Sequence, residues 1–119
     1  TLVDLVFVEL PHFTDAVADY FEDDEAYRSL QEHLLHSPTA GSVMKGCGGL
    51  RKVRWRDPKR GKGKRSGLRV IYLYLPEFEK LALFDIYDKD ESEDLDSHEK
   101  RILSQAADSV RKEFQRRRM

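Results

Sequence analysis

The sequence predicts one α+β domain, in which a small antiparallel sheet has helices packed on one face and the elements follow the order β-α-α-β-β-β-α. Three observations predict this class. The 119 residues are enough for one domain with a buried core. Short runs that alternate between apolar and polar residues, typical of strands, are distinct from longer runs with apolar residues at helical spacing. No repeat or linker divides residues 1–119.

The first strand is predicted at residues 3–10, VDLVFVEL, which alternate and are rich in valine. Pro11 ends this strand, because proline has no backbone N–H to donate to a ladder. A short helix is expected next, over residues 14–21. Its N-cap is predicted to be Thr14, whose side-chain oxygen can accept from a free backbone amide of the first turn.

The second helix is predicted at residues 24–36, DEAYRSLQEHLLH, where the apolar side chains form one stripe. Either Asp23 or Asp24 can cap its start. Pro38 stops it, since the residue before a proline is disfavoured in the helical region. The glycine-rich stretch 39–49 is expected to be a loop by composition.

Three further strands are predicted at residues 50–55, 68–75 and 80–88. Because consecutive strands usually pair, we expect them to form an antiparallel meander, with the first strand added beside it. The last helix is predicted over residues 97–115, and residues 113–119 are expected to fray. Asp96 with Glu99 resembles a capping box at the start of this helix.

Alternation along the strands predicts which side chains share a face. On the strand 50–55, one side carries Arg51, Val53 and Trp55, and the other carries Lys52 and Arg54. On the strand 80–88, one side carries Ala82, Phe84 and Ile86, and the other carries Asp85 and Tyr87. With helices on one face only, we expect the opposite face to be open to a ligand and to present Lys52, Arg54, Arg69 and Tyr87.

Positive charge is concentrated in the middle of the chain, although the formal net charge is only −1. Residues 45–69 contain eleven lysines and arginines and one acid, Asp57, which amounts to +10. Acidic residues predominate in 15–32 and 77–99. A basic stretch of this density is typical of a phosphate-binding surface, because each neutralised phosphate releases a counterion. The acidic stretches are expected to face away from a polyanion.

Other classes of function lack their sequence signatures. The loop sequence GKGK does not have the GxxxxGK[ST] spacing and does not begin a helix, which argues against an NTPase. His33 and His36 lie three apart on one helix with no further ligand in view, so we expect no metal and no cofactor. One cysteine excludes an intrachain disulfide, and no stretch reaches the ~20 apolar residues of a membrane span. We therefore expect a cytoplasmic protein without a membrane partner.

A cationic cluster on a sheet suits RNA cleavage by the RNA's own 2′-hydroxyl. Arginines stabilise the charge that develops on the phosphate. A lysine crowded by other cations has a lowered pKa and can act as a base, and a tyrosine or second cation can assist the leaving group. The candidate catalytic residues are Lys52, Arg54, Arg69, Tyr87 and Lys89.

The loop between the second and third strands is expected to hold nucleic-acid phosphates without choosing the bond to cut, because its cations lie among glycines and lack fixed directions. Together with one strand residue, the candidate nucleic-acid-binding residues are Arg51, Arg56, Lys59, Arg60, Lys62, Lys64 and Arg65.

The runs GGLRKVRW, SGLRVIYLY and IYDKDESEDL, followed by a helix, resemble the RelE/ParE superfamily of bacterial toxins, and most closely its HigB-type branch within RelE. The resemblance extends from about residue 24 to residue 110. It implies a RelE-like fold and a ribosome-dependent, metal-independent mRNA endonuclease (an mRNA interferase). It matches the family's basic sheet residues to Lys52, Arg54 and Arg69, and less closely to Lys89. Asp90 occupies a position where some RelE members carry arginine. The tyrosine that those members have near the C-terminus has no clear match here, and Tyr87 is the candidate to take its place.

The resemblance also implies the partners of a type II toxin–antitoxin toxin. These are the ribosome with its mRNA and a cognate antitoxin. The antitoxin is expected to be HigA-like with a helix-turn-helix domain. The complex is expected to contact operator DNA through the antitoxin alone. Two alternatives stay open. The same fold hosts ParE-type toxins, which poison DNA gyrase, and the chain can also be a nucleic-acid-binding module without enzymatic activity.

Overall fold

A computed structural model describes residues 4–61, 63, 67–88 and 95–118, and the structural statements below concern those residues. They form an α+β domain with a five-stranded sheet and three α-helices. In chain order the elements are β1 (Val6–Glu9), α1 (Pro11–Tyr20), α2 (Asp24–His36), β2 (Ser42–Val43), β3 (Arg51–Trp55), β4 (Leu68–Leu75), β5 (Lys80–Asp88) and α3 (Ser97–Arg118). Two single-turn 3₁₀ helices, Pro58–Arg60 and Pro76–Phe78, lie on either side of β4.

The sheet is mixed and not wholly antiparallel. Its strand order is β1-β5-β4-β3-β2, and the strands from β2 to β5 pair antiparallel with their neighbours. Only β1 runs parallel to its neighbour, β5, with Val6 opposite Lys80. The prediction of a meander with the first strand beside it is correct, but that of an antiparallel sheet is wrong for β1. No hairpin joins β1 to β5, so no turn imposes an antiparallel direction.

Helices cover both faces of the sheet, so the prediction of helices on one face is wrong. One core cluster packs side chains of α1 and α2, among them Phe13 and Leu34, on Val70 and Tyr72 of β4. A second cluster packs Ala107 and Phe114 of α3, together with other residues, on the opposite side of β4 and β5. The cause is visible in β4, LRVIYLYL, because a strand that is apolar on both sides must be covered on both sides.

A β-bulge in β5 changes which of its side chains share a face. Ile71 lies opposite Asp85, whereas the next residue, Tyr72, lies opposite Leu83, so Phe84 is the extra residue. The bulge places Phe84 on the same side as Asp85 and Tyr87. The prediction that Ala82, Phe84 and Ile86 share one face is therefore wrong, since Ile86 packs in the cluster with α1 and α2 and Ala82 and Phe84 in the cluster with α3.

The helix ends follow local chemistry, with one exception. Asp23 caps α2 by accepting from the Ala26 amide at 2.8 Å. The predicted capping box of α3 is present in both directions between Asp96 and Glu99. Thr14 is not the N-cap of α1: this helix begins at Pro11, an amino acid suited to a first helical position. At the other end, α3 extends to Arg118, through part of the region expected to fray.

Candidate nucleic-acid interface

Three predicted site residues form one row across the sheet. Arg54 of β3 lies directly opposite Arg69 of β4, and Arg69 lies directly opposite Tyr87 of β5. Side chains that face each other in this way are about 4.5–5.5 Å apart at Cβ. Lys52 lies on the same face in the next row, opposite Ile71. The sheet register therefore brings together four of the five predicted catalytic residues.

The row lies on the face against which α3 packs. Ile71, two residues from Arg69 on β4 and so on the same side, belongs to the core cluster that includes Ala107 and Phe114 of α3. Lys52 and Arg54 lie on the neighbouring strand, nearer the edge of the sheet. The face expected to be free of helices is thus partly covered by a helix.

The residues of this face differ in how far their side chains are exposed to solvent. Arg54 is exposed and Lys52 is half-buried, whereas Arg69 is only 3% and Tyr87 only 9% exposed. One guanidinium nitrogen of Arg69 donates to the Leu68 carbonyl at 3.2 Å. A phosphate that approaches this conformation can therefore touch Lys52 and Arg54 directly, while Arg69 and Tyr87 lie beneath the surface.

The described basic residues after β3 contact the protein itself. Arg56 lies over the Trp55 ring, with its guanidinium carbon 5.1 Å from the ring centroid. Lys59 donates to the Asp19 carbonyl at 3.3 Å. Arg60 donates to the Asp57 carboxylate at 3.2 Å and lies over the Tyr20 ring. The expectation of side chains without fixed directions is therefore wrong for these three residues.

Arg51 is also engaged within the protein. It donates to the Gly41 carbonyl at 2.8 Å and so stabilises the turn that precedes β2. Four other predicted site residues lie outside the described residues: Lys62, Lys64, Arg65 and Lys89.

A second group of cations lies beside Lys52. A cavity of about 220 Å³ is lined by Lys45 from the turn after β2, Lys52 from β3 and Lys100 from the first turn of α3. Ser42 and Leu95 also line it, and none of the described lining residues is acidic. Within the described part of the chain, neither an ion pair nor a side-chain hydrogen bond engages these three lysines or Arg54.

Tyr87 borders a different environment. The cavity that it lines, of about 280 Å³, also contains His12 and three carboxylates, those of Asp19, Asp85 and Glu99. His12 Nε2 lies 3.0 Å from Asp85 Oδ1. Burial raises the pKa of the Asp85 carboxyl, and the nearby His12 and the Ile86 amide oppose this increase. The negative charge here makes the Tyr87 side of the face less suited to phosphate than the Lys52 side.

Sequence reasoning missed Lys45 and Lys100 as members of a site. Lys45 belongs to the basic stretch 45–69 and contributes to its charge. It lies outside the predicted strands and helices, so no periodicity indicates which way its side chain points. Lys100 is 48 positions from Lys52 in the chain, and only the packing of α3 brings them together. No local pattern marks such a contact.

No model of a known protein family matches the sequence. Among the described residues, no three His, Cys, Asp or Glu side chains are grouped so that they could hold a metal ion. No helix within those residues has both the length and the apolar character needed to cross a membrane.

Proposed function

We propose that the protein is the toxin of a type II toxin–antitoxin system, a RelE-like endoribonuclease that inhibits translation by cutting mRNA on the ribosome. The observation that carries the proposal is the direct pairing of Arg54 with Arg69 across neighbouring strands, beside Lys52 on the same face. The sequence resemblance to HigB-type toxins supports the same reading.

Strand pairing by itself does not favour this arrangement. Like charges directly opposite each other destabilise a sheet, and a buried arginine loses most of its hydration. Such departures from local rules are expected mainly at functional sites. Lys52 and Arg54 present two positive charges on this face, which are the complement of a phosphodiester.

The proposed reaction is attack by the 2′-hydroxyl on the adjacent phosphorus. The 2′-oxygen loses its proton and forms a bond to phosphorus, the bond from phosphorus to the 5′-oxygen breaks, and the leaving oxygen gains a proton. The products carry a 2′,3′-cyclic phosphate and a 5′-hydroxyl. Lys52 and Arg54 contact the non-bridging oxygens as negative charge increases on them. Arg69 lies beneath the surface, in the same row of the sheet as Arg54.

The proposal includes the partners that the resemblance implies. A cognate antitoxin, HigA-like with a helix-turn-helix domain, inactivates the toxin, and operator DNA is contacted through the antitoxin alone. The cations of the loop after β3 are proposed to contact ribosomal or messenger RNA phosphates. For Arg56, Lys59 and Arg60 this contact replaces the intramolecular contacts described above.

Arg54→Ala tests the proposal with little risk to the fold, because this side chain is exposed and unpaired within the described residues. We expect cleavage of translated mRNA, measured by mapping 5′ ends after induction and in a purified translation reaction, to fall about 100-fold or more, as for loss of one transition-state donor. Arg28→Ala, an exposed arginine of α2, is the matched control and should retain activity. Arg69→Ala is the poorer test, since removal of a buried side chain also destabilises the protein.

Intact mRNA after induction of the wild-type protein would overturn the proposal. Inhibition of purified gyrase supercoiling with mRNA intact would instead indicate the ParE-type activity. Equal cleavage activity of the Arg54→Ala and Arg28→Ala proteins would show that Arg54 is not part of the active site, without contradicting the cleavage of mRNA itself.

A further inference from the structure

We infer that the cavity between Lys45, Lys52 and Lys100 is a binding subsite for a backbone phosphate of single-stranded RNA, next to the scissile phosphate. This inference rests on the proposed function and adds to it a second, non-reacting phosphate contact and two residues that the family resemblance did not supply.

The first argument is convergence. The three lysines come from a turn, a strand and a helix that are distant in the chain, and they line one cavity of about 220 Å³. This is below the roughly 300–1,000 Å³ that is usual for small-molecule sites. The cavity therefore suits a phosphate group better than a whole nucleoside. Lysine binds phosphate as a point charge and needs no planar, two-pronged partner.

The second argument is the lack of a counter-charge among the described residues that line the cavity. Several described cations near the sheet are already engaged: Arg60 with Asp57, Arg51 with Gly41 and Arg56 with Trp55. In contrast, no described carboxylate lines the cavity with the three lysines. A concave surface with one sign of charge attracts counterions, so this cavity favours an anion.

The third argument is position. Lys52 is shared between the cavity and the face that carries Arg54, because residues two apart on a strand point to the same side. Leu95 borders both this cavity and the acidic cavity with Tyr87, so the two environments adjoin. An RNA strand held at Arg54 therefore extends toward the lysines and away from the carboxylates.

The test is a binding measurement that does not depend on cleavage. The probe is a short fluorescent RNA with 2′-O-methyl groups, which has no attacking hydroxyl, and its affinity is measured by anisotropy at several salt concentrations. Each phosphate contact to a single strand contributes about 0.7 to the slope of log K against log salt. We expect the double variant Lys45→Ala/Lys100→Ala to lower this slope by about 0.7 and to weaken binding several-fold.

The matched control is Lys112→Ala, which removes an exposed lysine from the same helix. This residue lies twelve positions from Lys100 and so about 18 Å along the helix axis. Binding and slope should match those of the wild type. Circular dichroism melting should give the same transition for all the variants, since none of the three replaced lysines is fully buried.

Either of two results would overturn the subsite: an unchanged slope in the double variant, or no binding of the RNA by the wild type at millimolar concentration. Tighter binding of duplex DNA with the same loss in the double variant would also overturn it, because the inference commits to single-stranded RNA. The translation reaction keeps the two proposals apart. If the wild type cleaves mRNA but the double variant leaves the salt slope unchanged, only the subsite is contradicted. If the double variant lowers the slope but the wild type does not cleave mRNA, only the proposed endonuclease activity is contradicted.

Discussion

At the scale of the residue, Gly48 shows how one position can meet two requirements at once. Its φ of +67° lies in the left-handed region, which side chains with a Cβ rarely adopt. A Cβ placed there would also lie 3.1 Å from Ser104 Oγ and 3.4 Å from Ala107 Cβ of α3. The Gly48 carbonyl accepts from Arg111 at 3.1 Å. This turn therefore helps to dock α3 on the sheet.

Gly48→Ala and Gly46→Ala separate the two requirements. Gly46 also has a positive φ, +76°, but no atom lies within 4 Å of a Cβ built there. We expect each substitution to cost about 1–2 kcal/mol of unfolding free energy for the left-handed conformation. Gly48→Ala should cost more, because α3 must shift as well. Urea unfolding measures both, and equal losses would show that the contact with α3 is relaxed without cost.

At the residue scale, the alternation of side chains along a strand predicted the face of some residues correctly and of others wrongly. Alternation correctly placed Lys52 and Arg54 on one side of β3 and Val53 and Trp55 on the other, because side-chain direction in a strand depends on the local backbone. It failed for Ile86, because one inserted residue, Phe84, reverses the pattern beyond it.

At the scale of the element, Glu9 connects β1, α1 and α2. One carboxylate oxygen accepts from the Thr14 hydroxyl at 2.7 Å and the other from the Tyr27 hydroxyl at 2.5 Å. A short strand at the sheet edge gains little from packing alone. Side-chain hydrogen bonds of this kind hold it and the two helices together.

Tyr27→Phe is expected to reduce the unfolding free energy by about 1.5–3 kcal/mol, the usual value of a hydrogen bond to a charged group. Tyr74→Phe is the matched control, because Tyr74 is also half-buried and its hydroxyl has no hydrogen bond within the described residues. Chemical denaturation compares the two. A loss no greater than that of Tyr74→Phe would contradict the role given to the Tyr27 hydroxyl.

The bounds of three elements could be predicted from the sequence. The bounds of α2, β4 and β5 agree with the prediction at both ends. The helix α2 has a clear helical periodicity with Asp23 and Pro38 near its ends, and Gly67 and Pro76 flank β4. The two-residue strand β2 lies in a stretch predicted as loop, since it is a strand only through pairing with β3.

At the scale of the whole molecule, charge is segregated in a way that the net value of −1 conceals. The cavity with Lys45, Lys52 and Lys100 and the cavity with Asp85 and Glu99 adjoin on one side of the protein. A polyanion is therefore guided to one part of the face and repelled from the other.

Alkaline pH is expected to destabilise the whole molecule through two tyrosines. Burial raises the pKa of Tyr27, with Glu9 adding to the effect, and burial also raises the pKa of Tyr72. In the unfolded chain both ionise near pH 10. The folded state binds these protons more tightly, so their contribution is fully present below about pH 10 and is lost as pH rises above it.

Urea unfolding between pH 8 and pH 11 measures this loss. The stability advantage of the wild type over Tyr27→Phe should decrease above pH 10, because the phenylalanine protein has no proton to lose at that position. An advantage of the wild type over Tyr27→Phe that stays constant to pH 11 would contradict the raised pKa.

By itself the sequence determined the α+β class, the positions of the strongest helices and strands, the cap at Asp96, and the common direction of Lys52 and Arg54. These depend on neighbours within a few positions along the chain. Only the tertiary structure decided that β1 runs parallel, that Arg69 is buried and that Lys100 lies beside Lys52. Those outcomes depend on contacts between distant segments, whose packing no local periodicity encodes.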